Sequence, residues 1–267
     1  MQLVIGNRFE DFAEASGAIS AQTALDRLIA GSTDDMVIGQ GVNDRDADVI
    51  AILGAAVGRR VERGAVDPQR AGRAICHKHL PENQLISSPR WVEENVFEAD
   101  MLVDDRNEIL SDHLTGCHLQ GMLLIEATRQ MFIAVAETQY EHLGVPQNGY
   151  VVFDRITTKF EQFAFPIPTR IRQTVSETEK VKEDRVRFAS TIEIFQPQGC
   201  VATSDVSYTI FEAASLGSKE KKLAAKATSQ LLEMVEAVEK EIATKGASRL
   251  FEADWAARDR RMARAGG

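Results

Sequence analysis

The sequence predicts an α+β fold: a curved antiparallel sheet wrapped round one long central helix, with helical regions before and after it. Three features carry that reading. Residues 119–140 form a helix-length run that is apolar on most faces of its first four turns, and such a helix belongs inside protein rather than on a surface. Four segments of β-branched and aromatic composition follow, at 150–160, 167–181, 186–195 and 201–211. The links between them are short and carry turn residues: Pro166 and Pro168, Glu183-Asp184, and Pro197-Gln198-Gly199. Consecutive strands joined by short links make an antiparallel meander.

Composition narrows the class. The chain has 267 residues, 31 Lys+Arg and 40 Asp+Glu, a net charge of −9. That length buries a sizeable core without staples. Three cysteines (Cys76, Cys117 and Cys200) are odd in number and far apart. They suit a reducing, cytoplasmic setting and form no metal-spaced pair. Residues 1–6 lack the basic and apolar regions of a secretory signal. The longest uncharged apolar stretch is too short to span a bilayer, so no membrane partner is expected. Residues 71–213 carry 13 basic and 21 acidic side chains, which argues against nucleic acid as a partner. Residues 214–267 are mildly basic, with 11 against 8.

Three regions separate along the chain. Residues 1–71 read as helical. Ser20 caps a short amphipathic helix closed by Gly31, and Asn43 or Asp44 caps a second running through residues 49–53 toward Arg63-Gly64. Gly39-Gln40-Gly41 between them reads as a turn, since a phosphate loop needs a third glycine and a βαβ context. Residues 72–213 hold a strand-like stretch at 91–103, then the long helix and the four strands. Helix and sheet together form the hotdog architecture. Trp91, Phe153, Phe160, Phe163 and Phe165 read as core. Residues 214–267 open with a Lys-rich stretch and continue as a helix with Leu231, Val235, Val238 and Ile242 at 4-3-4 spacing. That run is under three heptads and reads as a docked helix; beyond residue 246 a loosely ordered tail is expected.

The chemistry concentrates in residues 111–130, SDHLTGCHLQGMLLIEATRQ. Asp112, His113 and His118 stand just before the helix, and Glu126, Arg129 and Gln130 share one of its faces at i, i+3 and i+4. A carboxylate inside an apolar helix is costly unless paired, hydrogen-bonded or protonated. Desolvation tends to raise its pKa, which suits a general acid or base. The plainer reading is an internal Glu126–Arg129 ion pair, and the sequence leaves the two readings open. Cys117 beside His118 reads as packing rather than as a nucleophile. His77 and His79, flanking Lys78, read as solvated or capping residues, with no further ligands for a metal.

This segment resembles the signature of the A-factor biosynthesis (AfsA-type) hotdog family: Asp-His, Gly, a second His, Gly-Met, then Glu-Ala and Arg-Gln. A second block, CHKHLPENQLI at 76–86, is similar to the segment that opens that family's domain. The resemblance covers about 74–212. More distantly, the helix is similar to the β-hydroxyacyl-ACP dehydratase hotdogs, which place a His in the loop and a carboxylate on the central helix of the partner subunit; His113 and Glu126 would be the counterparts.

The resemblance implies an acyltransferase that moves a β-ketoacyl group from an acyl-ACP or acyl-CoA thioester to a small hydroxylated acceptor, in γ-butyrolactone signal or secondary-metabolite biosynthesis. A thioester dehydratase, a thioesterase and a non-catalytic acyl-binding hotdog are the alternatives. Glu126 would be the general base or substrate-orienting carboxylate, with His118 or His113 as its acid–base partner. Arg129 and Gln130 would orient Glu126 or hold a polar acceptor. Gly121 and Met122 would receive the substrate at the helix start, where backbone N–H groups can polarise a carbonyl. No cofactor or metal is implied. The best-known family members carry two hotdog units, and this chain shows one motif, so a homodimer is expected.

Overall fold

The computed structural model describes residues 1–67, 69–112 and 116–245. His113 and the tail from residue 246 lie outside the described residues, and so do the expectations placed on them.

The N-terminal region is helical in the expected places but also carries a parallel sheet. Strand β1 (Gln2–Ile5), helix α1 (Glu10–Ser16), strand β2 (Ile19–Ser20), helix α2 (Ala21–Ile29), strand β3 (Met36–Ile38), helix α3 (Asp44–Ala56) and strand β4 (Val61–Arg63) alternate. The strands lie in the order β2-β1-β3-β4, all parallel. The strands have two to four residues each, too few for a clear period-two pattern, so the sequence shows only the helices. Ser20 accepts a hydrogen bond from the Thr23 N–H, and Asn43 from the Asp46 N–H, as N-caps do. Helix α3 stops at Ala56, and the chain toward Arg63 is β4 rather than more helix.

In this order β2 is added on one side of β1 and β3 on the other, so the strand order reverses between β1 and β3. The crevice at the carboxyl ends of such strands is where open parallel sheets bind ligands. Here it is filled by the protein. Gln40 Nε2 donates to the Met101 carbonyl at 2.7 Å, and Gln40 Oε1 accepts from the Val103 N–H at 2.7 Å. Gly41 N–H donates to the Val103 carbonyl, and Asp105 N–H to that of Gly41. The glycine turn is therefore a joint between the N-terminal layer and the hotdog. A Cβ on Gly6 would lie 2.3 Å from the Gly41 carbonyl oxygen. Backbone cannot yield as a side chain does, so Gly6→Ala is expected to cost about 2 kcal/mol. Thermal unfolding would read this as a fall of about 5 °C in Tm.

After helix α4 (Arg73–Cys76), the stretch expected as one strand is a hairpin: β5 (Arg90–Glu93) and β6 (Val96–Met101). Helix α5 (Glu108–Ser111) precedes the central helix α6 (Gly121–Gln139). Strands β7 (Tyr150–Phe160), β8 (Thr169–Lys182), β9 (Arg185–Gln196) and β10 (Gly199–Phe211) follow. The sheet order is β5-β6-β8-β9-β10-β7, every neighbour antiparallel. Only β8, β9 and β10 form the expected meander. The link from β7 to β8 is too long for a tight hairpin and carries the chain from one side of the three-strand meander to the other. It is pinned on the way by the Leu119 N–H, which donates to the Ala164 carbonyl.

Helix α6 is enclosed: Leu123, Ala127, Met131, Phe132, Ala134, Val135 and Ala136 are all fully buried. Phe132 stacks on Tyr208 of β10 with centroids 4.2 Å apart. Strand β9 alternates buried and outward residues along its length, as a sheet with one face on a core must.

The exposed aromatics correct one expectation. Trp91 and Phe163 are each 67% exposed, and Phe153 and Phe160 also face out. Strand β7 is bonded on one side only, to β10, which leaves Phe153 and Phe160 partly uncovered; Trp91 lies on the opposite edge strand, β5, and Phe163 in the link after β7.

Helix α7 (Ala213–Lys245) belongs to a second structural unit. It carries the expected 4-3-4 apolar run. No helix among the described residues is long and apolar enough to cross a membrane.

Candidate functional site

Two cavities adjoin the residues singled out by the sequence. The first, of about 540 Å³, is lined by His118, Leu119, Gly121, Leu124, Phe160 and Phe163, among others. It meets the amino end of α6. That end has no side-chain cap, because the Gln120 side chain turns away to donate to the Ile109 carbonyl. His118 is half-buried on the cavity wall, its ring 5.1 Å from that of Phe163. A Cβ on Gly121 would lie 2.8 Å from the Phe160 ring, so only glycine lets this ring lie against the helix start. Met122, in the same turn, is exposed.

Glu126 lies elsewhere. Two residues along a helix turn the side chain by about 200°, so Glu126 faces away from Leu124 and the apolar cavity. Arg129 binds its carboxylate through both Nε (2.9 Å to Oε2) and Nη2 (2.8 Å to Oε1). Gln130 Nε2 donates at 3.0 Å, and Lys78 Nζ lies 2.9 Å from Oε1. Burial pushes the Glu126 carboxyl up, but the hydrogen bonds and charges of Arg129, Lys78 and Gln130 outweigh it and hold the group below its ordinary value. The raised pKa expected from burial alone is thereby corrected: two cations and an amide reverse it.

Gln130 is fully buried. Besides Glu126 it binds backbone, donating to the Asn83 carbonyl at 2.8 Å and accepting from the Leu85 N–H at 2.7 Å. Gln130 thereby ties the 83–85 segment to α6 and to the Glu126 carboxylate.

The second cavity, of about 380 Å³, is lined by Arg73, Ala74, His77, Lys78, His79 and Asn148. None of these six is acidic. His77 and Asn148 both have left-handed backbones, with φ of 50° and 51°, a conformation that costs energy in a residue with a side chain. One buried carboxylate holds both: Glu137 lies 3.0 Å from His77 Nε2 and accepts from the N–H groups of Asn148 and Gly149. Glu137 was not singled out from the sequence. Its spacing of 11 residues from Glu126, about three helical turns, is the signal that places both on one face. Lys78, given no role by the sequence, is the residue that joins this cavity to Glu126.

Cys76 does not offer a reactive thiol to this site. Cys76 is fully buried, and burial pushes its thiol up to about 12, which suits packing. Cys117 is half-buried beside His118.

Comparison with known families decides the kinship. The model of the A-factor biosynthesis hotdog domain matches residues 61–212, more than half of the chain. The chain belongs to the A-factor biosynthesis hotdog family. The match spans the sheet, α6 and both cavities, and begins at β4 of the N-terminal layer. No curated protein matches the chain. Similar solved structures include a dehydratase heterocomplex from Xenorhabdus doucetiae, 13% identical over 55% of this chain and 95% of that one, with a TM-score of 0.42. A thioesterase from Haemophilus influenzae is 16% identical over 48% and 79%, with a TM-score of 0.34. A mutant thioesterase from Pseudomonas aeruginosa is 12% identical over 47% and 81%, also with a TM-score of 0.34.

Proposed function

We propose that this A-factor-type hotdog is an enzyme acting on acyl thioesters, transferring a β-ketoacyl group from acyl-ACP or acyl-CoA to a small hydroxylated acceptor. The observation that carries the reading is the apolar cavity meeting the uncapped start of a buried helix, with His118 on its wall. The acyl chain occupies the cavity. The amino end of α6 polarises the thioester carbonyl, since helix dipole and N–H groups favour developing negative charge there. His118 takes the acceptor hydroxyl proton as oxygen attacks the carbonyl carbon. The C–S bond then breaks, and the proton passes to the leaving thiolate. Glu126 stays ionised and positions Lys78 and Arg129 beside the cationic cavity, which holds a polar or anionic acceptor.

The test is incubation with β-ketoacyl, β-hydroxyacyl and saturated acyl thioesters, with and without hydroxylated acceptors. An ester of the β-ketoacyl group is expected. Dehydration or plain hydrolysis would assign the site to a dehydratase or thioesterase instead, and a bound ligand without turnover to a non-catalytic binder. His118→Ala is expected to lower turnover by about 10²-fold or more; wild-type turnover in the folded variant would remove His118 from the mechanism.

A second copy completes the site in this reading. Tyr150, Phe153, Ile156 and Phe160 along β7 are 37–51% exposed, on an edge strand with an open hydrogen-bonding side. Covering the exposed part of such side chains contributes about 1 kcal/mol each, and an uncovered edge invites pairing. Glu126 and the apolar cavity lie on different faces of α6, so a single chain does not bring them together. Light scattering at low micromolar concentration is expected to give twice the chain mass. An active monomer would contradict the pairing.

A further inference from the structure

Helix α7 has an apolar stripe with no place in the site or in the sheet edge. Leu231, Val235, Val238 and Ile242 continue the spacing of Ala224 and Thr228, with Leu232 and Met234 beside them. Leu231 and Leu232 are more than half exposed, and Met234, Val235 and Ile242 are 37–47% exposed. Helices in water owe most of their stability to packing of such a face.

The charges of α7 are sorted by sign. Lys219, Lys221, Lys222 and Lys226 outweigh Glu220 in its first half, and Glu233, Glu236, Glu239 and Glu241 outweigh Lys240 and Lys245 in its second. Lys219, Lys222 and Lys226 follow one another at three and four residues, and Glu233, Glu236 and Glu239 at three. Like charges at these spacings destabilise a helix on its own. A helix whose halves are opposite in sign is complementary to itself reversed.

We infer that α7 pairs antiparallel with α7 of a second copy of this chain. With the two-fold axis near residue 230, the basic half of each helix runs beside the acidic half of the other. Lys221 and Glu239 are 18 residues apart, about five full turns, and so lie on the same edge of the stripe. Reversal about that axis brings Lys221 beside Glu239 of the partner subunit, twice by symmetry. Within half a residue of that axis, Leu231 meets Thr228 of the partner subunit and Val235 meets Ala224 of the partner subunit, layers of the kind that close a two-helix seam. A parallel pair would set lysines against lysines and glutamates against glutamates, so charge selects the antiparallel one.

The test measures the dimer dissociation constant of the full chain by analytical ultracentrifugation. Leu231→Glu with Val235→Glu is expected to weaken self-association by about tenfold or more, since two carboxylates would have to be desolvated in the seam. Reversing the lysine block (K221E/K222E/K226E) or the glutamate block (E233K/E236K/E239K) is expected to weaken it severalfold. The chain carrying both reversals is expected to return close to wild type. A monomeric wild type, an unchanged constant in the Leu231/Val235 variant, or double reversal no better than single would each overturn the pairing. Ile156→Asp on β7 separates this proposal from the sheet-edge dimer. If only the sheet edge pairs, that variant alone loses the dimer; if only α7 pairs, it changes nothing.

Discussion

Glu126→Gln is expected to lower acyl transfer by about two orders of magnitude, the scale on which a positioned proton-handling or charge-holding group acts. The substitution keeps the shape of the side chain and removes its charge. Lys78 and Arg129 then face a neutral amide, and the arrangement that fixes them beside the cationic cavity relaxes. Side chains of the trio are 15–27% exposed, so the ion pairs are sheltered but not dry. Breaking sheltered pairs by removing one partner is destabilising, and about 2 kcal/mol is expected here. The effect depends on pH in a fixed direction. The unfolded chain protonates Glu126 near its ordinary value of 4.5, while the folded chain holds the carboxyl ionised to lower pH. The stabilisation is therefore complete above about 4.5 and is lost as pH falls through the folded value. Wild type is expected to lose stability across that acid window, and the Gln variant to lose less. Equal acid sensitivity in chemical unfolding of the two proteins would show that the ion pairs contribute nothing.

Gln130→Leu is expected to be the most destabilising single change near the site, at about 3 kcal/mol. The leucine has similar bulk but leaves the buried Leu85 N–H and Asn83 carbonyl without the partners that Gln130 supplies. A buried backbone group left unpaired costs about 1–3 kcal/mol. Tm is expected to fall by about 8 °C. A fall of less than 2 °C would mean that the 83–85 segment finds other partners. Because Gln130 lies under the site, the surviving folded fraction is expected to turn over substrate with altered KM.

The central helix was legible in the sequence because it is long and apolar on most faces, longer than any strand. Its observed span, Gly121–Gln139, sits inside the predicted one. The β7 boundaries were legible from composition, since 11 residues rich in β-branched and aromatic side chains stand between clear turns. Pairing was not legible. Strand order depends on which side the long β7–β8 link crosses, and no local residue states it. The N-terminal strands were hidden by their shortness. At the site, Glu126, Arg129 and Gln130 were found from helical spacing, and their mutual contacts follow from it. The role of Lys78 was not found, because a lysine in a histidine-rich stretch looks solvated until the fold brings Glu126 to it. Exposure of the β7 aromatics was also missed. Composition marks a phenylalanine as core, and only the edge position shows that part of its ring is left uncovered.

The joint at Gln40 and Gly41 has a consequence for the order in which the molecule is made. Residues 1–63 emerge from the ribosome complete with their strands and helices. The groups that satisfy the buried Gln40 amide, at Met101 and Val103, emerge about forty residues later. Until then the crevice between β1 and β3 is open and its polar groups are wet. Domains of nascent chains usually fold as they appear, and the layer's own core of Val4, Leu28, Met36 and Ile50 is complete by then. The Gln40 amide alone waits for the start of the hotdog, so the joint is the last part of the layer to be made.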